Sequence, residues 1–111
     1  MYQFFISDYF KRQIKKYNKK YRSLTSDITL FLESFDPNIH ISLGEGVYKA
    51  RISVSSMNKG KSKSFRLVLL LIQQKNFITP IVFYYKGDKE SISKREIQYH
   101  LDQIEKELKN L

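Results

Sequence analysis

The sequence predicts a single α+β domain, with a small antiparallel sheet of about four strands, an N-terminal helical hairpin and an amphipathic C-terminal helix. Apolar residues recur at helical spacing in three segments, and three other segments show the alternating or continuous apolar patterns of strands. Because these strand segments follow one another over short connections, we expect an antiparallel meander with the helices packed on it. The 111 residues fit one domain, so we expect residues 1–111 to form one unit.

The N-terminal third is predicted to form a strand followed by two helices. Residues 2–6 are aromatic and apolar, and Ser7 is a residue type that often caps a helix. Asn18 is a candidate break in the first helix, and the second helix ends before Pro37 because proline disfavours helical backbone in the preceding residue. Two apolar stripes at helical spacing define the hairpin: Phe10, Ile14, Tyr17 and Tyr21, and then Leu24, Ile28, Phe31 and Phe35.

The middle of the chain is predicted to contain two loops on either side of a strand. Residues 36–46 carry proline, asparagine and glycine, which are typical of a loop. Residues 47–55 alternate between apolar and polar, which predicts a strand with one buried face and with Lys49 and Arg51 together on the other face. Residues 56–64 are predicted to be a flexible basic loop.

Two more strands and a helix are predicted in the C-terminal half. Residues 65–73 are almost all apolar, which indicates a central strand covered on both faces, and Arg66 is the exception. After a turn, residues 77–85 form the next strand, in which Pro80 lacks a backbone N–H and therefore predicts an edge position or a bulge. The last helix begins with the capping-box pair Ser93 and Glu96, and its apolar stripe comprises Ile97, Leu101, Ile104, Leu108 and Leu111.

The composition narrows the possible functions. Twenty lysines and arginines against 11 acidic residues give a net charge of +9, which predicts an anionic partner such as nucleic acid, an acidic protein or an anionic membrane surface. The absence of cysteine excludes disulfides, thiolate metal sites and a thiol nucleophile. With only two histidines, His40 and His100, and no phosphate-cradling glycine loop, we expect neither a metal nor a cofactor.

The sequence also gives an expectation about location. Its longest apolar run, residues 67–72, is six residues long, which is too short to cross a bilayer. The N-terminus lacks the basic leader and long apolar stretch of a signal peptide. We therefore expect a cytoplasmic protein that does not cross a membrane, and of the three anionic partners we expect nucleic acid and an acidic protein, not a membrane.

A group of basic residues on the predicted strands is the best candidate for a binding site. Lys49 and Arg51 share a strand face, and Arg66 lies on the next strand, so the three side chains could line one concavity that binds phosphate. Lys61 and Lys63 lie in the loop between them. The alternative is structural, since an arginine at the start of a buried strand often snorkels to solvent or pairs with an acid such as Glu45.

Three segments give a resemblance to a known family. Residues 46–52 (GVYKARI), 60–68 (GKSKSFRLV) and 84–93 (YYKGDKESIS) resemble, in order and spacing, the RelE/ParE superfamily of bacterial type II toxins. The Gly-Lys-Ser-Lys-Ser insertion is similar to the branch with a longer loop between these strands, and we place the chain nearest the RelE/HigB-like messenger RNA interferases. The resemblance implies a RelE-like fold over most of the chain.

The resemblance also implies a function and a partner. Toxins of this type enter the ribosomal A site and cut messenger RNA without a metal or cofactor, using the ribose 2′-hydroxyl as the nucleophile, and an acidic antitoxin inhibits them by forming a hetero-oligomer. Lys49 and Arg51 match the family's basic pair, and Arg66 matches the arginine of the next strand. By this match Arg51 and Arg66 stabilise the charge on phosphate, and Lys49 takes part in proton transfer.

The chain departs from the RelE pattern at two positions. Where that pattern has an arginine soon after the last strand and then a tyrosine, this chain has Gly87 and Ser93. The candidates to replace them are Tyr84, Tyr85, Lys86 and Lys89, and we take Tyr85 and Lys86 as catalytic and Lys61, Lys63 and Lys89 as RNA-binding residues. Strand alternation puts Tyr85 on the face opposite to Tyr84 and Lys86, so a regular strand cannot bring all of them to one cleft. Tyr85 and Lys86 are taken together because the strand is expected to end there; the alternative is that one of the tyrosines packs against the last helix.

Other functions remain open at this stage. ParE-like members of the superfamily share the basic features but inhibit DNA gyrase by binding, and a basic domain can also bind an acidic partner without catalysis. The last helix is either ordinary core or a cover that an antitoxin helix replaces.

Overall fold

Five strands and three helices make up the part of the chain that the structure, a computed structural model, describes: residues 2–57 and 65–110. The strands are β1 (Gln3–Phe4), β2 (Ile41–Gly44), β3 (Val47–Ile52), β4 (Phe65–Ile72) and β5 (Phe77–Tyr85). The helices are α1 (Asp8–Lys20), α2 (Leu24–Glu33) and α3 (Lys94–Leu108), and short 3₁₀ turns span Pro37–Ile39 and Gln73–Lys75. The strands form one sheet in the order β1-β5-β4-β3-β2. The predicted α+β class is therefore confirmed.

The sheet differs from the prediction in two ways. It has five strands, not about four, because Ile41–Gly44 in the predicted loop 36–46 pairs antiparallel with β3. It is also mixed, because β1 pairs parallel with β5 while the other pairs are antiparallel. Both pairings lie at the sheet edges and involve short strands, β1 with two residues and β2 with four.

The helical hairpin forms as predicted, except that α1 continues past Asn18 to Lys20. Its N-terminus is capped by Ser7, whose hydroxyl accepts a hydrogen bond from the N–H of Phe10 at 2.9 Å. The apolar stripes of α1 and α2 pack on one face of the sheet, so the basic residues of α1 remain on its outer side. This leaves the other sheet face for α3.

The central strands follow the predicted pattern. β4 lies in the middle of the sheet, and a register shift occurs where Val68 pairs with Val82 and Leu69 pairs with Pro80. The extra residue on β5 is Ile81, so the predicted bulge beside Pro80 is confirmed. The bulge removes the need for a ladder hydrogen bond that proline cannot donate.

Strand alternation divides the core into two layers. Phe65 and Leu67 of β4 pack with α1 and α2, while Val68 and Val82 pack beneath α3. The predicted capping box of α3 is present, because the Ser93 side chain accepts from the N–H of Glu96 and the Glu96 side chain accepts from the N–H of Ser93. None of the helices in residues 2–57 and 65–110 is long and apolar enough to span a membrane.

Two polar contacts hold α3 against the start of α1. The carboxylate of Glu107 accepts hydrogen bonds from the backbone N–H groups of Asp8 and Tyr9, at 2.7 and 3.0 Å. These N–H groups lie in the first turn of α1, where a negative charge is favourable. The hydroxyl of Tyr9 also lies 2.7 Å from Nδ1 of His100. The last helix is therefore fixed by directed hydrogen bonds as well as by apolar packing.

Replacing Glu107 by alanine should lower the free energy of unfolding by about 1–2 kcal/mol, because two helix-terminal N–H groups lose their acceptor. Urea denaturation followed by circular dichroism measures the change. Glu105→Ala is the control, since Glu105 is exposed on the same helix and its removal changes the net charge equally. Equal destabilisation by the two variants would contradict this account of the α1–α3 contact.

The contact with Tyr9 also predicts a pH dependence. Burial holds the pKa of His100 below its ordinary value; Glu96 opposes this shift and Lys89 adds to it. The folded protein therefore prefers the neutral imidazole, so protons bind more readily to the unfolded chain, and the free energy of unfolding falls as the pH drops below about 6.5. Burial likewise lowers the pKa of His40, so it acts in the same direction.

The urea midpoint, measured between about pH 7.5 and pH 5.5, should therefore fall in the wild type and fall less in His100→Gln. Glutamine cannot titrate but can still bond to the Tyr9 hydroxyl. An unchanged pH slope in this variant would assign the effect to other groups.

Candidate functional site

An open cleft of about 500 Å³ lies on the α3 face of the sheet, near the C-terminal end of β3 and the N-terminal end of β4. Four cations line it: Lys49, Arg51, Arg66 and Lys86. The structure thus brings the three predicted strand cations together and adds Lys86 from the segment after β5. A site of this size and charge can hold an anionic group such as a phosphate ester.

The register of β3 and β4 sets the two arginines side by side. Arg51 and Arg66 are Cα partners in the antiparallel ladder, and Lys49 stands two residues before Arg51 on the same face. Arg51 is exposed, whereas Arg66 is only 8% exposed and donates from a guanidinium nitrogen to the carbonyl oxygen of Phe65 at 3.2 Å. Glu45, the acid considered as a partner of Arg66, lies in the β2–β3 turn at the other end of β3.

The loop after β5 positions Lys86. The N–H groups of Asp88 and Lys89 both donate to the carbonyl oxygen of Tyr85, at 3.0 and 3.1 Å, which closes a tight turn directly after the strand. The ammonium of Lys89 forms an ion pair with Glu96 in the first turn of α3. These contacts tie both ends of the loop, so Lys86 reaches the cleft from a fixed segment.

Tyr85 does not line the cleft. Its ring packs against Phe65 with centroids 5.2 Å apart, within the layer covered by α1 and α2. Tyr84 lies on the cleft side of the sheet but is buried in the α3 layer, and its hydroxyl has no hydrogen-bond partner in the described part of the chain. A catalytic role for Tyr85 stays a prediction, and its placement on the opposite face gives that role no support.

The two positions that depart from the RelE pattern have structural roles here. A Cβ added at Gly87 would overlap the ring of Tyr85, so that ring occupies the space of a side chain. Ser93 is the N-cap of α3. Neither position can supply cleft chemistry in this chain without rearrangement of the loop.

The predicted RNA-binding lysines are not brought to the cleft by the described structure. Lys89 is paired with Glu96 and does not line the cleft. Lys61 and Lys63 lie outside the described residues, as does most of the predicted loop 56–64. Their roles stay predictions.

The cleft also contains His40, for which the sequence predicted no metal or cofactor role, and three residues that the sequence did not single out: Ile39, Ile41 and Glu90. All four come from segments predicted to be irregular, so the side that each faces was not predicted. The ring of His40 stacks on Phe35 with centroids 5.2 Å apart, and burial lowers its pKa while Asp36 opposes the shift. Among the residues that the structure describes, no group of acidic and histidine side chains could hold a metal ion.

The fold and cleft define a small basic α+β protein with a cationic cleft on the α3 face of its sheet. Residues 3–111 match the family described as the RelE toxin of the RelE/RelB toxin-antitoxin system, so the chain belongs to the RelE toxin family. This confirms the resemblance found in the sequence, and toxins of this family have an antitoxin partner. No curated protein matches the sequence.

Two solved structures are similar to this chain. The isolated E. coli RelE toxin in a P21 crystal form has 16% identity and a TM-score of 0.48, over 94% of this chain and 99% of the other. An E. coli RelE variant with two arginines changed to alanine, in the free state, has 20% identity and a TM-score of 0.48, over 80% of this chain and 87% of the other.

Replacing Gly87 by alanine should lower the free energy of unfolding by about 1–3 kcal/mol, because the new methyl group pushes the Tyr85 ring away from Phe65. A double-mutant cycle with Tyr85→Leu, followed by urea denaturation, tests the cause. The cost of the alanine should be smaller in the Tyr85→Leu background. An equal cost in both backgrounds would show that the ring is not what Gly87 accommodates.

Proposed function

We propose that this toxin is a ribosome-dependent endoribonuclease that cuts messenger RNA without a metal or cofactor. The observation that carries the proposal is the convergence of Lys49, Arg51, Arg66 and Lys86 on one solvent-open cleft. RNA carries its own nucleophile in the ribose 2′-hydroxyl, so the enzyme needs only to bind the phosphate and move two protons. Membership of the RelE toxin family supports the choice of translation as the target.

The two arginines are assigned to the phosphate. Guanidinium groups donate paired hydrogen bonds to phosphate oxygens, and their charge stabilises the extra negative charge of a pentacoordinate phosphorus. Arg51 and Arg66 are adjacent in the β3–β4 ladder, so one phosphate can contact both. Arg66 is nearly buried, and a buried side chain has few alternative rotamers, so its guanidinium is held in one position in the cleft.

The two lysines are assigned to proton transfer. In-line displacement needs a proton acceptor and a proton donor on opposite sides of the phosphorus, and Lys49 on β3 and Lys86 after β5 lie on opposite sides of β4, which carries Arg66. Lys49 is assigned to take the proton of the 2′-hydroxyl, and Lys86 to give a proton to the departing 5′-oxygen. The 2′-oxygen–phosphorus bond forms and the 5′-oxygen–phosphorus bond breaks, which leaves a 2′,3′-cyclic phosphate and a 5′-hydroxyl.

The antitoxin is expected to be acidic and to form a hetero-oligomer that neutralises the same cleft. The chain carries a net charge of +9, so an acidic segment gains favourable charge interactions wherever it covers the cations. Inhibition and catalysis would then compete for one surface. The site of action is the cytoplasm, where messenger RNA is translated.

Changing Arg51 to alanine should lower the rate of messenger RNA cleavage on programmed ribosomes by about 10²–10³-fold, because one donor to the developing charge is lost. The measurement is the single-turnover rate from primer extension across the A-site codon. Arg51 is exposed, so the variant should fold normally, and Arg51→Lys should recover only part of the rate because an ammonium cannot form a bidentate contact. Arg12→Ala is the matched control, since it removes the same charge from the outer side of α1.

Cleavage that is equally slow in Arg51→Ala and Arg12→Ala would reduce the effect to net charge and contradict the assigned role. Unchanged messenger length with the wild type, together with loss of DNA supercoiling by gyrase, would replace the nuclease with the ParE-like alternative. Growth arrest by neither route would point to a basic module that only binds an acidic partner.

A further inference from the structure

Two isoleucines beside the cationic cleft are unusually exposed. Ile39 and Ile41 have 73% and 65% of their surface exposed, and both line the cleft. Exposed apolar side chains that adjoin a binding cleft are candidates for ligand contact, because their burial against a ligand is favourable. In contrast, Leu30 on α2 is 63% exposed but does not line the cleft.

A hydrogen bond and a ring contact fix the segment that carries these isoleucines. The Asp36 side chain accepts from the N–H of Asn38 at 2.9 Å and caps the 3₁₀ turn that contains Ile39. Between the two isoleucines, the ring of His40 stacks on Phe35. The isoleucines are therefore exposed on an anchored segment and not on a loose loop.

The sheet places this apolar pair next to the cations. Ile41 on β2 is the Cα partner of Lys49 on β3, so both side chains point to the cleft face and their Cβ atoms lie about 5 Å apart. Arg66 on β4 lies about 10 Å from β2, two strand spacings away. A phosphate held by the two arginines would leave its neighbouring nucleotide over β2.

We propose that Ile39 and Ile41 form an apolar platform on which the base of the nucleotide beside the bound phosphate packs. This inference rests on the proposed function, and it makes the two isoleucines positioning residues for an RNA substrate. Their side chains offer no hydrogen-bond donor or acceptor, so the platform recognises the flat apolar face of any base and does not select one by its edge.

A protein side chain is the other possible occupant, and three observations favour a nucleotide. The apolar surface is continuous with four cations, as a molecule that alternates phosphates and bases requires. The cleft volume of about 500 Å³ is that of a small-ligand site. Finally, two isoleucines are far fewer than the roughly 20–30 residues that each partner contributes to a typical stable protein interface.

The test compares two uncleavable strands bound by the full-length toxin at low salt. One is a short 2′-O-methyl RNA, and the other is an abasic strand with the same number of phosphates; fluorescence anisotropy gives both dissociation constants. The wild type should prefer the strand with bases. The double variant Ile39→Ala/Ile41→Ala should bind that strand about tenfold more weakly and bind the abasic strand within about twofold of the wild type.

Two controls separate the platform from general effects. Leu30→Ala should change neither dissociation constant, and Ile39→Leu/Ile41→Leu should keep the preference for bases because the apolar surface is retained. Because all three positions are exposed, thermal melting should show that the variants fold.

Every other outcome counts against the platform. An equal loss of affinity for both strands, or no loss for either, would overturn it while leaving cleavage on ribosomes as a separate result. If RNA binding is unchanged but the double variant no longer retains a co-expressed antitoxin, the surface is a protein contact. If the wild type binds neither strand and Arg51→Ala does not alter messenger cleavage, both the platform and the proposed function fail.

Discussion

Two arginines that stand side by side in an antiparallel ladder are the constraint on which the site depends. Arg51 and Arg66 are Cα partners on the cleft face, and like charges in directly opposite positions destabilise a sheet. Arg66 is also nearly buried, which disfavours a charge unless nearby groups bond to it. The apolar neighbours of Arg66 on β4 fix this register, since a slip of one residue would turn the whole strand over. The pairing therefore places two guanidinium groups next to each other on the cleft face, where one anion can contact both.

The cleft exists because α3 covers only part of its sheet face. Val47 and Leu70 lie beside α3, at the end of β3 and β4 that is far from Arg51 and Arg66. On this face of β3, the residues are Val47, Lys49 and Arg51 in chain order. The apolar Val47 lies beside α3, and the two cations lie beyond it, in the cleft. One alternating strand thus contributes to the core at its start and to the site at its end.

The helices, the three long strands and the pair of strand cations could be predicted because each follows a regular period in the sequence. Ile41–Gly44 could not, since its alternation covers only four residues and lies in a segment whose proline, asparagine and glycines favour a loop. The exposed isoleucines and Glu90 were missed because they lie in segments predicted to be loops, where tertiary contacts such as the stacking of His40 on Phe35 set the structure. Lys86 was predicted only through the resemblance, and its place in the cleft depends on a turn that closes on Tyr85.

The departures from the RelE pattern at positions 87 and 93 follow from how this chain builds the loop after β5. The Tyr85 ring fills the space beside Gly87, and Ser93 caps α3 with Glu96, whose carboxylate also pairs with Lys89. These contacts use both positions to fix the loop. A side chain at residue 87 would have to displace the Tyr85 ring, which packs against the core, so a cation is more readily supplied by the exposed neighbour Lys86. The loop therefore lacks the arginine and the tyrosine of the RelE pattern, and its contacts support the lysine that reaches the cleft.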